Sequence, residues 1–357
     1  MRILLIIPDL DGGGAQKVVL TLAGGLVERG HDVHVLLMEH VVNYDVPKGV
    51  VLHSLTPPGR RMSSGWIGKR WLAHRLRRWA AGQPPFNLMI ASLPFASEIA
   101  SRARLAPIWH HVHNSLASEI DQISRKSSAK AARRKRRYRA IFERQRLVTV
   151  SNGIADEMRA RLGLARVQTV TIYNPFDFAE LRRRAALSDP DLPTEPYIVN
   201  ASRFVRQKRH DVLLDAYATS AIPHRLVLLV NDDPALRDMI RARGLETRVT
   251  IAGFRTNPYP WFANAAALVL SSDFEGFGNV LVEALACGTP AVSTCCPSGP
   301  DEILTGPLKR YLSPPGDVPA LAQSIRDVIR DPPPIDAANL ERFSLAHALD
   351  RIEALAP

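Results

Sequence analysis

The sequence is poor in cysteine and has no long apolar run. Its 357 residues include three cysteines, and an odd number without metal-ligand spacing argues against a disulfide framework. The opening apolar run Ile3–Ile7 stops at Pro8 and is too short for a signal peptide or a membrane span. We therefore expect a protein of the reducing cytoplasm in which no segment crosses a bilayer.

Acidic residues are outnumbered by basic ones. The formal net charge is +11, with an isoelectric point near 9.9. Such an excess indicates an anionic partner, whether nucleic acid, acidic lipid headgroups or a phosphorylated small molecule, and charge alone does not choose among them. The 46% of hydrophobic and 23% of charged residues are typical of globular proteins.

Short apolar runs alternate with amphipathic stretches along the chain, and the same rhythm occurs twice. The runs predict strands at Ile3–Ile7, Asp32–Met38, Asn87–Ser92, Ile108–His113, Leu147–Val150 and Val170–Tyr173, and then at Tyr197–Ala201, Arg225–Val230, Val249–Phe254, Ala267–Leu270, Ala291–Thr294 and Arg310–Leu312. Most are apolar on both faces, as parallel strands covered by helices are. The fold class is therefore α/β, with two doubly wound, Rossmann-like domains.

A polar stretch that contains prolines, residues 188–196, has neither the helical nor the strand periodicity of its neighbours. It is predicted to be a linker. We place the boundary near residues 176–195, with domains at 1–180 and 181–340. A final helical segment, Leu345–Leu355, could return to complete the first domain, so that residues 341–357 would belong to it.

Two carboxylates flank a glycine-rich loop at the start of an apolar helix. Glu275 precedes Gly276-Phe277-Gly278, whose backbone can approach a ligand closely and offer amides to an anionic group. Glu283 follows within the helix among apolar neighbours, and a buried carboxylate is costly unless it is paired. It could accept hydrogen bonds from a ribose, leaving Glu275 to hold a transferred sugar; alternatively, a buried Lys or Arg pairs with Glu283.

Four cations lie in the loop Ser202–Arg209, which follows a predicted strand and precedes a helix. Arg203 can donate to two oxygens of a diphosphate, and Lys208 adds a point charge that neutralises a leaving group. The alternative is a basic loop that only contacts water.

A glycine-rich loop, Asp11-Gly12-Gly13-Gly14-Ala15, joins the first strand to the first helix. Amides at a helix N-terminus can face an anion. The loop lacks both the Lys-Ser/Thr ending of a phosphate loop and the spacing of a dinucleotide fingerprint, so a tight turn is equally consistent.

Histidines end the predicted strand Ile108–His113. Alternation places His111 and His113 on one side, with His113 at the carboxyl edge of the sheet. A metal site would need further ligands at suitable spacing, which the neighbouring residues lack, so we expect none. We expect His113 to contact a substrate hydroxyl; the alternative is a plain strand-end histidine.

Two segments of the first domain, residues 66–79 and 125–146, are strongly basic. The first interleaves Trp66, Trp71 and Trp79 with cations, as helices at membrane surfaces do. We expect both segments to bind an anionic membrane surface. Nucleic acid is the competing partner, but no recognised nucleic-acid-reading motif is present, so none is expected.

These motifs together resemble the retaining glycosyltransferases of GT-B architecture, typified by bacterial mannosyl-, glucosyl- and N-acetylhexosaminyltransferases (group 1). The resemblance covers nearly the whole chain. It is carried by four stretches: Glu275-Gly276-Phe277-Gly278-Asn279 through Glu283, Ala201–Val205 with Lys208, Ala252-Gly253-Phe254, and Asn174-Pro175-Phe176-Asp177. It implies two Rossmann-like domains that face each other across a cleft.

The resemblance also implies roles for individual residues. The implied catalytic residues are Glu275, His113, Arg203 and Lys208. The implied substrate-binding residues are Gly13, Gly14, Arg203, Lys208, Phe254, Glu275, Gly276, Phe277, Gly278, Asn279, Val280 and Glu283. The donor would be a nucleotide-diphosphate sugar, with no metal and no other cofactor.

The implied reaction is transfer of a hexosyl group, with retention, to a lipid-linked or lipopolysaccharide- or exopolysaccharide-type acceptor. It would occur in the cytoplasm, at the inner face of the plasma membrane. The chain departs from the family at Val230-Asn231-Asp232-Asp233-Pro234, where a glycine-rich turn is usual, and two aspartates there could repel a phosphate or face water. The alternatives are a nucleotide-sugar epimerase on the same fold and a non-catalytic basic protein that binds membrane or nucleic acid.

Overall fold

The structure is a computed structural model that describes residues 1–59 and 65–356. The chain divides into two compact units. Unit 1 comprises Met1–Pro175 and Arg342–Pro357, and unit 2 comprises Phe176–Glu341.

Strands and helices alternate through unit 1. In chain order they are β1 (Arg2–Ile7), α1 (Gly14–Glu28), β2 (Asp32–Leu37), β3 (Val51–Ser54), α2 (Trp66–Ala81), β4 (Leu88–Ser92), α3 (Leu93–Ala103), β5 (Trp109–Val112), α4 (Leu116–Ser124), α5 (Ser128–Phe142), β6 (Arg146–Thr149), α6 (Asn152–Ala160) and β7 (Gln168–Thr171).

The strands of unit 1 form one parallel sheet in the order β3-β2-β1-β4-β5-β6-β7. Strand β1 lies inside this sheet, and its apolar residues from Ile3 to Ile7 are at most 2% exposed. Because helices cover both faces of the sheet, side chains of both alternating sets are buried. This is a doubly wound sheet whose strand order reverses beside β1.

Unit 2 repeats the arrangement. Its elements are α7 (Phe178–Ala185), β8 (Tyr197–Asn200), α8 (His210–Ser220), β9 (Arg225–Leu228), α9 (Pro234–Arg241), β10 (Val249–Ile251), α10 (Tyr259–Ala263), β11 (Ala267–Leu270), α11 (Asn279–Ala286), β12 (Ala291–Thr294), α12 (Pro300–Ile303), β13 (Leu312–Ser313) and α13 (Val318–Arg330). The parallel sheet has the order β10-β9-β8-β11-β12-β13. The strand order reverses between β8 and β11.

The last helix, α14 (Leu345–Glu353), packs on α1 of unit 1. Gly25 makes this close approach possible, since a Cβ there would lie 2.8 Å from Leu349 Cδ1. The side chain of Arg29 donates hydrogen bonds to Asp350 and Glu353 at 2.7 and 2.9 Å. The C-terminal helix therefore contributes to the core of unit 1 rather than that of unit 2.

The predicted fold class, two parallel-sheet α/β domains, is confirmed. One strand escaped prediction: β3 is short and half-exposed at the sheet edge, so it lacks the apolar run that marks the inner strands. Strand β7 begins two residues before its predicted start, because the polar residues Gln168 and Thr169 already pair with β6.

The division between the units falls before Phe176, upstream of the predicted linker. Residues 188–196 lie within unit 2, where Trp261 Nε1 donates to Asp189 at 2.8 Å and Arg255 pairs with Asp191 at 2.7 Å. Helix α7 packs on α10 in the same unit. A stretch rich in proline and polar residues is therefore held against the domain surface by side-chain contacts that composition does not reveal.

Across the described ranges, 1–59 and 65–356, no helix is both long enough and apolar enough to cross a membrane.

Candidate active site

The sequence-predicted residues of unit 2 lie at the carboxyl edge of its sheet. The basic loop follows β8, and the carboxylate-bearing loop follows β11. These strands are hydrogen-bonded neighbours, with Ala267 opposite Ile198. The two loops therefore leave the sheet side by side at the point where the strand order reverses, which is where open α/β sheets bind ligands.

A cavity of ≈ 450 Å³ opens beside these loops, within unit 2. It is lined by residues from the loops after β8, β9 and β10 and from helices α10 and α11: Ala201, Ser202, Arg203, Phe204, Leu229, Val230, Asn231, Asp232, Asp233, Phe254, Arg255, Pro258, Phe262, Val280 and Glu283. Its size suits a small organic ligand. Of the predicted binding residues, it brings together Arg203, Phe254, Val280 and Glu283.

Lys208 and Glu275 form an ion pair in the adjoining loops. Lys208 Nζ lies 2.6 Å from Glu275 Oε1, and the two side chains are 16% and 8% exposed. The hydroxyl of Ser272 donates to the same carboxylate oxygen at 2.5 Å. Because both charges are largely removed from water, the pair is fixed in one geometry rather than averaged over many, as exposed pairs are.

Backbone and amide contacts fasten the two loops along their length. The Gln207 side chain donates to the Phe274 carbonyl at 2.7 Å, and the Asp273 amide donates to the Gln207 carbonyl at 2.8 Å. Two segments distant in sequence are thus joined by hydrogen bonds around Lys208 and Glu275.

The loop Gly276-Phe277-Gly278 begins helix α11. Gly278 has a φ of 95° and precedes the first helical residue, Asn279. The Phe277 side chain is 2% exposed and belongs to the interior. A Cβ at Gly299 would lie 2.0 Å from the Phe277 carbonyl oxygen, so the loop after β12 presses directly on this backbone. A ligand can therefore reach this segment through its backbone, but not through the Phe277 ring.

Glu283 projects from α11 toward the cavity and is 8% exposed. The hydroxyl of Tyr259 donates to its Oε1 at 3.4 Å. The guanidinium of Arg184 lies over the Tyr259 ring, 5.0 Å from its centroid. The carboxylate that sequence reasoning assigned to a ribose is thus both at the cavity and held by a buried tyrosine.

The aspartates of the unusual loop after β9 have structural partners. Arg237 pairs with Asp232 at 2.5 Å, and its hydrogen bond lowers the pKa of that carboxyl. Asp233 caps helix α9 by accepting from the Ala235 amide at 2.8 Å. Both aspartates line the cavity; Asp232 is half-exposed and so also faces water, as one of the two expectations had it, while repulsion of a phosphate stays a prediction.

In unit 1 the glycine-rich loop lies at the N-terminus of α1, whose first residue is Gly14. Gly13 has a φ of 137°, and its amide donates to the Tyr44 hydroxyl at 3.0 Å. That hydroxyl in turn donates to the Gly13 carbonyl at 3.2 Å. The Gly13 amide, one of those that could face an anion, therefore donates to Tyr44 instead.

The histidines at the end of β5 lie close together, and three of their ring nitrogens lack a hydrogen-bond partner among the described residues. The ring centroids of His111 and His113 lie 3.8 Å apart. Among the described residues, Nε2 of His111 and both ring nitrogens of His113 are buried without a hydrogen bond. Burial lowers the pKa of His111 to about 3 and that of His113 well below its usual value. Both imidazoles are therefore neutral at pH 7.

Within residues 1–59 and 65–356, no group of three or more His, Cys, Asp or Glu side chains is arranged to hold a metal ion. The groups that sequence reasoning missed are Ser272, Tyr259 and Tyr44. Each acts through a hydroxyl that meets its partner only after folding, and no spacing along the chain marks such a contact.

Comparison with known proteins agrees with this architecture. The family model "Glycosyltransferase Family 4" matches residues 12–180, and "Glycosyl transferases group 1" matches residues 195–331. The chain belongs to this glycosyltransferase family, as its resemblance implied, and its fold is GT-B.

Individual relatives are distant. An N-acetylgalactosamine-N,N'-diacetylbacillosaminyl-diphospho-undecaprenol 4-alpha-N-acetylgalactosaminyltransferase from Campylobacter jejuni is 26% identical over 310 residues, 84% of this chain and 82% of the relative. A lipopolysaccharide 1,6-galactosyltransferase from Escherichia coli is 30% identical over 178 residues, 48% of each chain. The crystal structure of HepE from Anabaena, in complex with UDP and glucose, superposes with a TM-score of 0.76 at 22% identity, covering 99% of both chains.

Proposed function

We propose that this glycosyltransferase moves a hexosyl group from a nucleoside diphosphate sugar to a lipid-linked or lipopolysaccharide-type acceptor, with retention and without a metal ion. One observation carries the proposal: Arg203 and Glu283 line the same cavity, and the loop that carries Arg203 also carries Lys208, which pairs with Glu275. The set supplies cations for a diphosphate and carboxylates for sugar hydroxyls.

The donor fits this cavity in one chemically sensible direction. Arg203 is exposed at the cavity and can donate two hydrogen bonds to phosphate oxygens. Glu283 accepts hydrogen bonds from the ribose hydroxyls. Phe254, which is 68% exposed, offers an apolar ring face to the base. HepE, the structural neighbour described above, was crystallised with UDP, which supports a nucleoside diphosphate as the ligand class.

Lys208 and Glu275 act at the departing phosphate and the transferred sugar. The bond from the anomeric carbon to the diphosphate breaks, and a bond to the acceptor oxygen forms on the same face. The acceptor hydroxyl gives its proton to the leaving diphosphate. Lys208 stabilises the charge that develops on that group, while Glu275 orients the sugar hydroxyls, so a protein base is unnecessary.

Residues of unit 1 complete the proposal by analogy with the family. His113 would line the sugar site as a neutral hydrogen-bonding group. Gly13 and Gly14 would approach the phosphates and acceptor. Since Tyr44 already accepts a hydrogen bond from the Gly13 amide, we assign the contact with an anionic group to the first turn of α1.

The acceptor class follows from the relatives and from the surface of unit 1. The names of the Campylobacter and E. coli relatives describe transfer to a diphospho-undecaprenol-linked sugar and to lipopolysaccharide. Helix α2 exposes Trp66 and Ile67, at 64% and 76%, among basic residues. We propose that α2 and α5 hold the enzyme on an anionic membrane surface, the inner face of the plasma membrane.

A transfer assay tests the proposal. Purified enzyme is incubated with UDP-, GDP- and ADP-hexoses and N-acetylhexosamines, with lipid-linked oligosaccharide or lipopolysaccharide core as acceptor. We expect one donor to yield a glycosylated acceptor whose new linkage keeps the donor's anomeric configuration by NMR. Conversion of the donor to another sugar without acceptor would establish the epimerase alternative, and an inverted linkage would contradict retention.

Neither alternative from the sequence has support from the family assignment, which describes glycosyltransferases.

A further inference from the structure

Arg209 has a backbone conformation that favours glycine. It lies between the short helical turn Arg206–Lys208 and helix α8, with φ 47° and ψ 54°. In this left-handed region the Cβ atom of an L-residue crowds the backbone, and glycine is the low-cost choice. At such a position the contacts of a long side chain can offset the strain.

The side chain of Arg209 forms a bridge that glycine could not form. Its Nη1 donates to Asp273 Oδ1 at 2.8 Å. Its Nε and Nη2 donate to Asp211, at 2.9 and 2.8 Å. These hydrogen bonds raise the pKa of the guanidinium, which stays fully charged. One guanidinium thus joins the first turn of α8 to the loop after β11.

The two ends of this bridge are adjacent to the groups assigned to catalysis. Arg209 directly follows Lys208, and Asp273 lies two residues before Glu275. The left-handed turn also brings the carbonyls of Lys208 and Arg209 within 2.8 and 3.1 Å of the buried Ser271 hydroxyl. Both the backbone and the side chain of Arg209 therefore fix one loop against the other.

We propose that Arg209 is a positioning residue that sets the register between the loop of Lys208 and the loop of Glu275, and thereby the place where the diphosphate is bound. The identity of the ligand rests on the proposed function. The bridge itself does not, and it can be tested without ligand.

Helix α8 carries a second Arg–Asp pair that serves as a matched control. Arg243 donates to both oxygens of Asp215, at 2.6 and 3.0 Å. This pair is also partly buried and bidentate, but it does not reach either site loop. A role for Arg209 in general stability alone would be shared by Arg243.

The test compares Arg209→Gly and Arg243→Ala in the full-length protein. Glycine accepts the left-handed backbone, so Arg209→Gly removes the bridge without adding strain, and the variant should melt within a few degrees of wild type. Amide hydrogen exchange is measured over residues 203–209 and 271–277. Titration calorimetry then compares UDP, GDP and ADP with the corresponding monophosphates.

We expect Arg209→Gly to accelerate exchange in both loops and to weaken the binding of the preferred diphosphate by about tenfold, because Lys208 is then no longer held in place for a phosphate oxygen. The monophosphate should change far less. Wild-type exchange in both loops of Arg209→Gly, or equal effects of Arg243→Ala, would overturn the proposal. If wild-type protein binds none of the diphosphates, the proposed function fails, while the exchange comparison still decides whether Arg209 fixes the loops.

Discussion

Lys208 Nζ lies 2.6 Å from Glu275 Oε1, although the two residues are 67 positions apart in the chain. The contact exists because β8 and β11 are neighbours across the point where the strand order of unit 2 reverses. The two charges of the pair offset each other. A bound diphosphate would bring its own negative charge and compete with Glu275 for Lys208.

Removing either cation should abolish most of the turnover. Lys208→Ala or Arg203→Ala is expected to lower kcat by two to three orders of magnitude, because one preorganised charge contact with a leaving group is worth about 3–4 kcal/mol. Initial rates with the preferred nucleotide sugar measure the loss.

Arg206→Ala is the control for charge alone, because Arg206 is an exposed cation of the same loop. It should retain a rate close to that of wild type. Near-normal rates in both Lys208→Ala and Arg203→Ala would refute the assignment of the leaving-group site.

Glu283 should govern recognition of the ribose. Glu283→Gln is expected to weaken binding of a nucleoside diphosphate and to reduce its advantage over the 2′-deoxy analogue, because the carboxylate accepts stronger hydrogen bonds than an amide does. Calorimetric titration with both nucleotides measures this ratio. The exposed Glu246→Gln variant should keep the wild-type ratio. An unchanged ratio in Glu283→Gln would place the ribose elsewhere.

Acid should destabilise unit 1 through its buried histidines. The pKa of His110 is lowered to about 4 and that of His111 to about 3, both by burial. Below about pH 6.5 the unfolded chain binds protons at these residues while the folded chain does not, so stability is complete above that pH and falls as the pH is lowered toward 4.

Thermal unfolding between pH 4 and 8 checks this prediction. A His111→Leu variant should lose less stability on acidification than wild type, whereas replacement of the exposed His74 by Gln should leave the acid-induced fall in place. A His111→Leu curve with the full wild-type fall would contradict the prediction.

The exposed face of α2 should be required for membrane binding. Replacing Trp66 and Ile67 with serine is expected to abolish flotation with vesicles that contain phosphatidylglycerol, because it removes the apolar anchors while leaving the net charge unchanged. Leu187→Ser, which removes an exposed apolar residue of unit 2, is the control. Equal flotation of the double variant and wild type would show that α2 is not the anchor.

The basic helix α5 carries less free charge than its composition indicates. Arg137 pairs with Glu98 at 2.6 Å, and Arg134 pairs with Glu119. The exposed cations, such as Arg133 and Arg136, remain available to lipid headgroups. Composition predicts a uniformly basic surface on α5. In the structure, some of its arginines form ion pairs with glutamates, and the others are exposed.

The fold could be predicted because it depends on local patterns. Inner strands such as β1 are apolar on both faces and alternate with helices along the chain. This pattern indicates parallel sheets even when the tertiary contacts are unknown. The short edge strand β3 lacked this signal, since only part of it is buried.

The individual residues of the candidate site could be predicted from the sequence, but the contacts between them could not. Strand ends and charge identified Arg203, Lys208, Glu275 and Glu283, but strand order decides which of them meet. The contacts of Tyr44 and Arg209 depend on residues that are distant in the sequence. Those of Arg209 also depend on a left-handed backbone conformation, which is uncommon for arginine. Such contacts arise from tertiary packing, and no periodic pattern in the sequence marks them.

The central claim, that the cavity of unit 2 binds a nucleoside diphosphate, is tested most directly by calorimetric titration of UDP, GDP, ADP and CDP into the wild-type protein and into Arg203→Ala. At least one diphosphate should bind wild type at a single site, and Arg203→Ala should bind it at least about tenfold more weakly. Absence of binding by all four, or equal affinity in the variant, would contradict it.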